Sequence, residues 1–295
     1  MDRLATNCSR HEISSLVVNQ QSDSHVSGSY GDFFYAFSKS VVLHEMIGCG
    51  LFSHVYAGSS STGEKRLPER FAVKVYDGFF KDEIFFKVEV KALTLMKECP
   101  FIVDIFASYI DKYPHVLLEL GDIDLDSLVR EMIGHKIKFT EGHLNFIIDN
   151  LSRAAEFMLK NGIENKDLFD DNVVYFFNQG VLKFIDFNSA CFDIAAEKNE
   201  IMKNVGLIVL YCKLKESHEC KESVTYKCKV CHQAEDKLKD KVELDRFIDE
   251  TMRGSVSLNT LIKRLIKLDA SSPIDPSQVY SSLGLKEALP QLTRS

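Results

Sequence analysis

Four short motifs stand in this chain in one order, and their order constrains the fold more than any single motif does. The first is a glycine-containing turn between two strand-like segments, and the second is a lysine inside an apolar strand. The third holds an aspartate and an asparagine five residues apart, and the fourth begins with an aspartate that directly follows a strand-like segment. Each motif alone is short enough to arise by chance, whereas the ordered set is not. In chain order they occupy residues 48–55, 71–74, 165–172 and 186–188.

The composition limits the kinds of protein that this chain can be. The chain has 295 residues, of which 45% are hydrophobic, enough for one two-lobed domain or two ordinary domains. The formal net charge of -7 argues against a general affinity for nucleic acid. No run of about 18 apolar residues and no signal-peptide pattern is present, so no membrane segment is expected. Eight cysteines without a secretion signal predict reduced thiols and an intracellular protein, cytoplasmic or nuclear.

The hydrophobic pattern predicts a sheet-rich region followed by a mostly helical one. Residues 1–36 are rich in Ser, Asn, Gln and Gly, which is typical of a mobile tail. Three antiparallel strands lead into a helix with apolar Ile84, Val88 and Leu95 at helical spacing. Two strands, several helices and a β-hairpin around Asn178-Gln179-Gly180 follow. The predicted strands cover residues 41–47, 54–58, 70–76, 102–109, 115–120, 173–177 and 182–185, and the predicted helices cover 81–97, 125–133, 141–160 and a region beyond 197.

Gly48 and Gly50 lie at the turn between the first two strands. Glycine allows backbone amides to approach phosphate oxygens without a side chain in the way. A single Gly-x-Gly is weak evidence, and an ordinary hairpin explains it better when it is taken alone. Its position and the strands on both sides favour a phosphate-binding loop.

Lys74 lies in an apolar strand between Val73 and Val75. Most strand lysines lie at an edge, where they oppose aggregation. A lysine at the centre of a strand with apolar neighbours more often meets a buried anion, because an unpaired charge is expensive to bury. The pattern therefore indicates an anionic partner for Lys74.

Asp167, Asn172 and Asp186 complete the set of polar residues. Asp167 and Asn172 keep an Asp-x-x-x-x-Asn spacing, and Asp186 follows the predicted hairpin. Together with the order of strands and helices, the motifs resemble a divergent, shortened member of the eukaryotic protein kinase family over about residues 41–214. The resemblance implies a two-lobed α+β fold with a disordered tail at 1–36 and a kinase-like domain at 37–295. A small antiparallel-sheet N-lobe would cover about 37–118, and a mostly helical C-lobe would cover about 122–295.

The resemblance also implies a nucleotide site for ATP. Lys74 would bind the α- and β-phosphates, and Glu89 on the helix would hold the lysine in place, with Glu83 as the second candidate. Ser53 stands where the family has a third loop glycine. The alternative for either glutamate is a solvated surface charge. The implied nucleotide contacts are Ile47, Gly48, Gly50, Val55, Ala72, Lys74, Glu119 and Leu120.

Catalytic roles follow from the same resemblance. Asp167 would orient the substrate hydroxyl and accept its proton. Asn172 and Asp186 would bind Mg²⁺ through oxygen atoms. Asp124 or Asp126 would reach the ribose of the nucleotide.

Several supporting positions depart from the family pattern. Asn165-Lys166 replaces His-Arg before the catalytic aspartate, and we expect this to weaken the local structure. Phe169 replaces the lysine with which serine/threonine kinases neutralise the γ-phosphate. Asn188 replaces the glycine after Asp186-Phe187, a position where asparagine tolerates a positive φ. Asn204 stands where the family has a helix aspartate, and no Ala-Pro-Glu is found. The platform for a peptide substrate is therefore expected to be reduced.

Three functions are compatible with these residues. The first is a serine/threonine-type protein kinase that uses ATP and Mg²⁺, since the charged members of the set are all present. The second is a pseudokinase, a nucleotide-binding or scaffolding module, which Phe169, Asn188 and the short segment after Asp186 favour. The third is a kinase-fold enzyme that acts on a small molecule. The sequence does not identify the protein substrate or partner, and neither nucleic acid nor membrane is expected as one.

A group of cysteines and histidines follows Asn204. It contains a Cys-x-x-Cys pair with the spacing of zinc ligands. The preceding pair, Cys212 and Cys220, does not match the spacing of a familiar zinc knuckle. Buried thiols without a metal are therefore the favoured interpretation, and a zinc site is the alternative. The group comprises Cys212, His218, Cys220, Cys228, Cys231 and His232.

Overall fold

A computed structural model describes most of the chain beyond residue 40, and the predicted tail at 1–36 lies outside it. The described residues form two compact units. Unit 1 contains the residues up to Lys91 together with Asp104–Leu120, and unit 2 contains Ala92–Val103 and the residues from Gly121 onwards. The described ranges are 41–60, 67–76, 80–110, 113–192, 198–220, 228–231, 237–238, 243–266 and 274–292.

Unit 1 is a five-stranded antiparallel sheet with most of one helix, whose last residues, from Ala92, belong to unit 2. The strands are arranged in the order β1-β2-β3-β5-β4, so the predicted three-strand meander is confirmed. The elements are β1 Val41–Cys49, β2 Ser53–Ser60, β3 Arg70–Tyr76, β4 Ile105–Tyr109, β5 His115–Leu118 and helix α1 Phe80–Leu95.

Strand β3 is the central strand of the sheet, and its residues from Phe71 to Tyr76 are buried on both faces. Successive side chains of a strand point to opposite faces. Phe71, Val73 and Val75 accordingly join one apolar cluster with Tyr56 and Leu117. The other face carries Ala72, Lys74 and Tyr76, so the alternation places a charge and a hydroxyl side by side.

Helix α1 buries a different face from the one that apolar spacing predicted. Ile84 and Leu95 are exposed, whereas Phe86, Glu89 and Leu93 are buried. The buried residues lie at i, i+3 and i+7, which is the spacing of one helix face. The helix predicted over 81–97 is present, and its buried face includes the charged Glu89, which a hydrophobic pattern does not register.

Unit 2 is mostly helical. The predicted hairpin is confirmed, and Gly180 occupies its turn with φ +64°. Strand β4 of unit 1 begins later than predicted, since Ile102 instead makes an isolated parallel bridge with Phe184 of unit 2. The helices are α2 Leu125–Gly134, α3 Glu141–Lys160, α4 Lys198–Ser217, α5 Leu244–Met252, α6 Val256–Ile266 and α7 Pro276–Ser282. The strands are β6 Ile123–Asp124, β7 Ile163–Asn165, β8 Val173–Phe176, β9 Val181–Phe184 and β10 Ala190–Phe192, and a short 3-10 helix covers Asp170–Asn172.

Helix α3 forms the centre of unit 2. It starts at a capping box in which Thr140 accepts a hydrogen bond from the backbone of His143 and the His143 ring accepts one in return. Its inward residues are fully buried, and the C-terminal stretch packs onto the same core, with Tyr175 Oη donating to the carbonyl of Leu289. None of the helices in the described ranges combines the length and apolar character that crossing a bilayer requires. An antiparallel sheet in one unit and mostly helix in the other make the expected α+β fold.

Candidate active site

The buried charges of unit 1 are Lys74 and Glu89, and they form an ion pair. Lys74 Nζ lies 2.9 Å from Glu89 Oε1, and both side chains are almost fully buried. Tyr76 donates its hydroxyl to the other carboxylate oxygen of Glu89. Glu83, the second candidate, instead pairs with Lys87 in an exposed i,i+4 contact. The predicted pairing is therefore present, and Tyr76 is a member of the site that the sequence analysis missed.

Tyr76 could have been found from strand periodicity. It lies two residues after Lys74 on a strand, and residues two apart share a face. Its ring also packs edge-on against Phe86 of α1, with 5.7 Å between the ring centroids. The tyrosine thus fixes both the carboxylate and the helix that carries it.

The glycine turn lies between β1 and β2. Gly50 donates its backbone N–H to the carbonyl of Ser53, which closes a tight turn. A Cβ at Gly48 or Gly50 would meet its nearest neighbours at 3.5 and 3.6 Å, which is ordinary contact. Neither glycine has a positive φ. Neither the conformation nor the space around the turn therefore requires glycine at either position.

The tip of this turn is fastened to α1. The rings of Phe52 and Phe85 are stacked with 4.1 Å between their centroids. Ser53, which stands at the third glycine position, is buried. The backbone amides of the turn are thus held in a defined place within unit 1.

The residues predicted to contact the base lie in β1–β3 and after β5. Ala72 is buried, Val55 is half-buried and Ile47 is exposed. Glu119 and Leu120 are half-buried, and the Glu119 N–H donates to the carbonyl of Asp104. The backbone N–H of Glu119 is therefore engaged within unit 1.

The catalytic loop is built around Asn172 and Asp167. The side-chain amide of Asn172 donates to the Asp167 carbonyl at 2.9 Å and to its carboxylate at 3.1 Å. The nitrogen of the amide is therefore engaged, and its oxygen is the atom suited to a hard cation. The backbone carbonyl of Asn172 also accepts a hydrogen bond from the N–H of Ile185. This bond ties the loop to the residue before Asp186. The fold thus brings Asp167, Asn172 and Asp186 into one hydrogen-bonded region of unit 2.

Asp186 has a left-handed backbone, with φ 59°. Asn188 does not have a positive φ, so the expected role of its asparagine in tolerating that conformation was wrong. The Asp186 carboxylate accepts the N–H of Asn188, while Phe187 is fully buried. Replacement of glycine at 188 therefore imposes no backbone strain, because the unusual conformation falls two residues earlier.

Asn165 connects the loop at Asp167 with the segment that begins at Asp186. Its side-chain N–H donates to the carbonyl of Asp186 at 2.9 Å, and its oxygen accepts from the backbone of Asp167 and from Ser189 Oγ. Strand β7, which ends at Asn165, also pairs with β10. The sequence analysis treated Asn165 only as a weakened replacement. An asparagine offers a donor and an acceptor together, and the structure uses both.

Asp126 does not face a ligand site. Its carboxylate is buried and binds Lys215, which also binds Asp170 at 2.5 Å, and Arg130 approaches it at 3.1 Å. The proposed ribose contact through Asp126 is therefore wrong, because its carboxylate is committed to these cations. Asp124 caps helix α2 by accepting from the backbone N–H of Ser127.

The charges of this buried cluster influence one another. Burial raises the pKa of Asp126, and the nearby Lys215 ammonium only partly offsets this effect. Burial lowers the pKa of Lys215, but the nearby carboxylates of Asp170 and Asp126 raise it by more. The pKa of Lys215 is therefore raised overall. Lys215 is therefore a permanent cation between two carboxylates.

The structure also shows where the other residues that depart from the family pattern lie. Phe169 is half-buried with an extended backbone at the start of the short 3-10 helix, and Lys166 is exposed. Asn204 lines a cavity of about 280 Å³ together with Asn165, Lys166 and Ile201. The helix asparagine thus lies beside the start of the catalytic loop, as its position in the sequence suggested.

Each unit carries a different kind of chemistry. Unit 1 presents glycine-turn amides and a buried, oriented ammonium, both of which suit phosphate oxygens. Unit 2 presents carboxylate and amide oxygens, which are the ligands that Mg²⁺ prefers.

Comparison with known proteins gives two matches. The family model described as protein kinase domain matches residues 41–207, more than half of the chain. Ribosomal protein S6 kinase alpha-1 of Mus musculus is 27% identical over 160 residues, which are 52% of this chain and 20% of that protein. The chain thus spans about a fifth of the length of this relative.

Proposed function

The chain belongs to the protein kinase domain family, and from this premise we propose that it is an ATP- and Mg²⁺-dependent protein kinase of the serine/threonine type. The observation that carries the proposal is the buried ion pair between Lys74 and Glu89. A lysine held rigidly by a carboxylate on a helix is what the family uses to position the α- and β-phosphates. A purely structural reason for the pair is weak, because buried ion pairs often add little stability.

In this proposal, unit 1 binds the nucleotide. Backbone N–H groups of the turn that contains Gly48 and Gly50, other than the Gly50 N–H that bonds to Ser53, donate to phosphate oxygens, and Lys74 neutralises the α/β-phosphate pair. The turn accommodates side chains but has none at these two positions, which supports an approaching ligand. The adenine ring is proposed to lie against apolar and backbone groups of Ile47, Val55, Ala72, Glu119 and Leu120.

Unit 2 is proposed to supply the chemistry of transfer. The Asp167 carboxylate accepts the proton of a serine or threonine hydroxyl, whose oxygen forms a bond to the γ-phosphorus as the bond to the β–γ bridging oxygen breaks. Asn172 and Asp186 hold Mg²⁺ through oxygen atoms, and the ion neutralises charge on the phosphates. The fit rests on the donor set, since Asn172 uses its nitrogen for Asp167 and keeps its oxygen for a cation.

Phe169 is the reason that we expect slow phosphate transfer. An aromatic ring cannot neutralise the γ-phosphate, so one positive charge of the family's site is missing. Loss of one such stabilising contact costs about 2.7–4 kcal/mol of transition-state stabilisation in a comparable case. We therefore expect transfer well below the range of about 1–100 per second that is typical of kinases.

A pseudokinase is the second candidate, and Phe169 is the observation that favours it. In that case the chain binds ATP or a partner protein without transfer. A kinase-fold enzyme for a small molecule is a third candidate, favoured by the short segment between Asp186 and helix α4. The name of the mouse relative describes a kinase of a ribosomal protein, so a protein acceptor is the class that we test first.

The sharpest test compares Phe169→Lys with Phe169→Leu. The lysine variant restores the missing cation, whereas the leucine variant keeps an apolar side chain. We expect Phe169→Lys to raise the rate of phosphate transfer by about a hundred- to a thousandfold, and Phe169→Leu to leave it nearly unchanged. The measurement is incorporation of labelled γ-phosphate into serine and threonine of a mixed protein acceptor.

Two outcomes oppose the proposal. Absence of transfer in the wild type and in Phe169→Lys, with ATP still bound, favours the pseudokinase. Transfer to a small molecule but to no protein acceptor favours the third candidate.

The domain is proposed to extend beyond the matched residues, over 37–295. Contacts such as Tyr175 with Leu289, and the close approach of Gly206 to Leu265, support this extent because they join later residues to the core of unit 2. An intracellular location is proposed as well, and the seven free cysteines in the described ranges support it.

A further inference from the structure

A second group of reactive side chains lies at the end of α4, and the proposed kinase function does not use it. It contains one imidazole and three thiols from His218, Cys220, Cys228 and Cys231. Their donor atoms all lie within 4.8 Å of one another. Four such donors at one point are the ligand set of a Cys₃His metal site.

Two distances from the imidazole to the thiols are close to those of a tetrahedral site. His218 Nε2 lies 3.2 Å from Cys228 Sγ and 3.6 Å from Cys231 Sγ. Zinc bonds of about 2.3 Å to sulfur and about 2.0 Å to nitrogen give N···S edges of about 3.5 Å in a tetrahedron. The side chains are therefore already spaced as ligands of one ion.

The imidazole is oriented by a backbone carbonyl. His218 Nδ1 lies 2.5 Å from the carbonyl oxygen of Leu214, so Nδ1 carries the proton. Nε2 then has its lone pair directed at the thiols. A hydrogen bond from the second ring nitrogen to a carbonyl is the usual support of a metal-bound histidine.

The end of α4 brings Cys220 back toward His218. The N–H of Cys220 bonds to the carbonyl of Lys215, and the N–H of Glu219 bonds to that of Glu216. This is the Schellman pattern, in which the residue after the helix cap is usually glycine. Here that residue is Glu219 with φ 51°, an unfavourable conformation for a residue with a Cβ. A strained turn that assembles two ligands points to a function for the assembly.

Cys228 and Cys231 form a compact turn of their own. The backbone N–H groups of Val230 and Cys231 donate to Cys228 Sγ. Such N–H···S bonds stabilise a thiolate, which is the form of cysteine that binds a metal. The Cys-x-x-Cys spacing of this pair is that of zinc ligands.

The ligand set differs from the one that the sequence suggested. The sequence analysis grouped Cys212 with Cys220 and found the spacing poor. Cys212 instead lies buried beside Asp170 and Lys215, and burial raises its pKa. His218 is the donor that takes its place, and the site then needs no residue from the undescribed ranges.

We propose that His218, Cys220, Cys228 and Cys231 bind one structural Zn²⁺ ion. Three thiolates and an imidazole select zinc over Mg²⁺ or Ca²⁺, which prefer oxygen. Four protein ligands leave no open position, so the ion has a structural role and not a catalytic one.

The proposed ion would stabilise the segment that ends α4. Lys215 lies one turn before the site, where its carbonyl bonds to Cys220 and its ammonium bonds to Asp170 beside the catalytic loop. Zinc would thus fix the helix end from which Lys215 reaches the loop. The proposal does not depend on phosphate transfer, because metal content is measured directly.

The test measures zinc in the purified full-length chain by elemental analysis. We expect about one zinc per chain in the wild type, and less than about a tenth of that in Cys228→Ser and in His218→Ala. His218→Cys should retain zinc, because it conserves four ligands. Cys212→Ser and His232→Ala are the matched controls, and both should keep the full content.

A second measurement does not require the variants to fold. Replacement of zinc by Co²⁺ in the wild type should give the visible absorption of a tetrahedral cobalt site and a thiolate charge-transfer band. A chain without bound zinc that also gives no such spectrum would overturn the proposal. So would a disulfide among Cys220, Cys228 and Cys231 in the chain isolated under reducing conditions, or loss of zinc in His232→Ala but not in His218→Ala.

Discussion

Lys74 and Glu89 bury two opposite charges that a hydrophobic pair could replace without loss of stability in many proteins. Their retention is therefore better explained by a ligand than by the fold. Tyr76 adds a hydrogen bond to Glu89, which holds the carboxylate without neutralising it. The ammonium is thus held in place before any anion arrives, and preorganisation of this kind strengthens binding.

Nucleotide binding should depend on Lys74 and not on lysines in general. ATP with Mg²⁺ should stabilise the wild type by about 2.7 kcal/mol when free nucleotide exceeds the Kd about a hundredfold. Lys74→Met should remove most of this gain, because the phosphates lose their buried cation. Lys87→Met is the control, since Lys87 is an exposed residue of α1, the helix that carries Glu89. The measurement is the shift in Tm on adding nucleotide, taken for each variant against its own ligand-free protein.

Equal shifts in Lys74→Met and wild type would show that nucleotide binds without this lysine. That outcome would remove the observation on which the proposed function rests.

Single residues were predicted well where spacing along one element determines them. The resemblance to the kinase family paired Glu89 with Lys74, and the apolar neighbours of both residues along their elements agreed with that choice. Asp126 was assigned wrongly because its partner Lys215 is 89 residues away, and no local pattern reveals that contact. Asn165 was undervalued for the same reason, since the carbonyl of Asp186 that it binds is 21 residues away.

At the scale of elements, three segments of unit 2 meet through one buried cation. Lys215 of α4 binds Asp126 of α2 and Asp170 of the short 3-10 helix beside the catalytic loop. The cluster carries two carboxylates and one fully buried ammonium, with Arg130 at its edge. Removal of this cluster should therefore disturb both the packing of unit 2 and the position of the loop that contains Asp167.

Lys215→Met should destabilise the fold by about 3–5 kcal/mol, because it leaves two buried carboxylates without their cation. Lys203→Met on the same helix should cost no more than about 1 kcal/mol, since Lys203 forms a partly exposed i,i+3 pair with Glu200. Unfolding by urea, followed by circular dichroism, gives both values. Equal effects of the two substitutions would show that the buried cluster does not stabilise unit 2.

Asp126 should give the cluster a pH dependence of known sign. A carboxyl whose pKa is raised in the folded state binds a proton more tightly there than in the unfolded chain. Its contribution to stability is therefore complete below its unfolded pKa of about 3.9 and declines as pH rises through the raised folded value. The same carboxyl faces Lys215, Asp170 and Arg130. Their charges influence its folded pKa and therefore the pH at which the decline in stability ends.

The stability of the wild type relative to Asp126→Asn should accordingly fall as pH rises from about 4 and become constant above the folded pKa. The free energy of unfolding of both proteins over this range checks the prediction. An exposed substitution, Asp171→Asn, serves as the control. A relative stability that rises with pH would contradict the assigned direction.

Element limits were predictable where a pattern is local. Strand β3 and helix α3 begin and end where the sequence predicted them, and Thr140 caps the start of α3. The inward face of α1 was not predictable from apolar spacing, since Glu89 belongs to it. The later start of β4 was missed because Ile102 bridges to Phe184, a residue far along the chain.

For the whole molecule, the motif order led to the right family and fold class. The family match ends at residue 207, yet the chain continues through helices α5–α7, which pack on α3 and α4. The sequence analysis found the group of cysteines and histidines but favoured thiols without a metal. It could not show that His218 meets Cys228 and Cys231, which lie ten and thirteen residues further along the chain, beyond the strained turn after α4.

The central claim is that this divergent chain still transfers phosphate from ATP with Mg²⁺. It is tested most directly by incorporation of labelled γ-phosphate into serine or threonine, measured for wild type, Asp186→Asn and the exposed control Asp171→Asn. We predict slow labelling by wild type and Asp171→Asn, at less than about 1 per second, and none in Asp186→Asn or after removal of Mg²⁺. Absence of labelling by the wild type while ATP and Mg²⁺ bind, or equal labelling by wild type and Asp186→Asn, would contradict the claim.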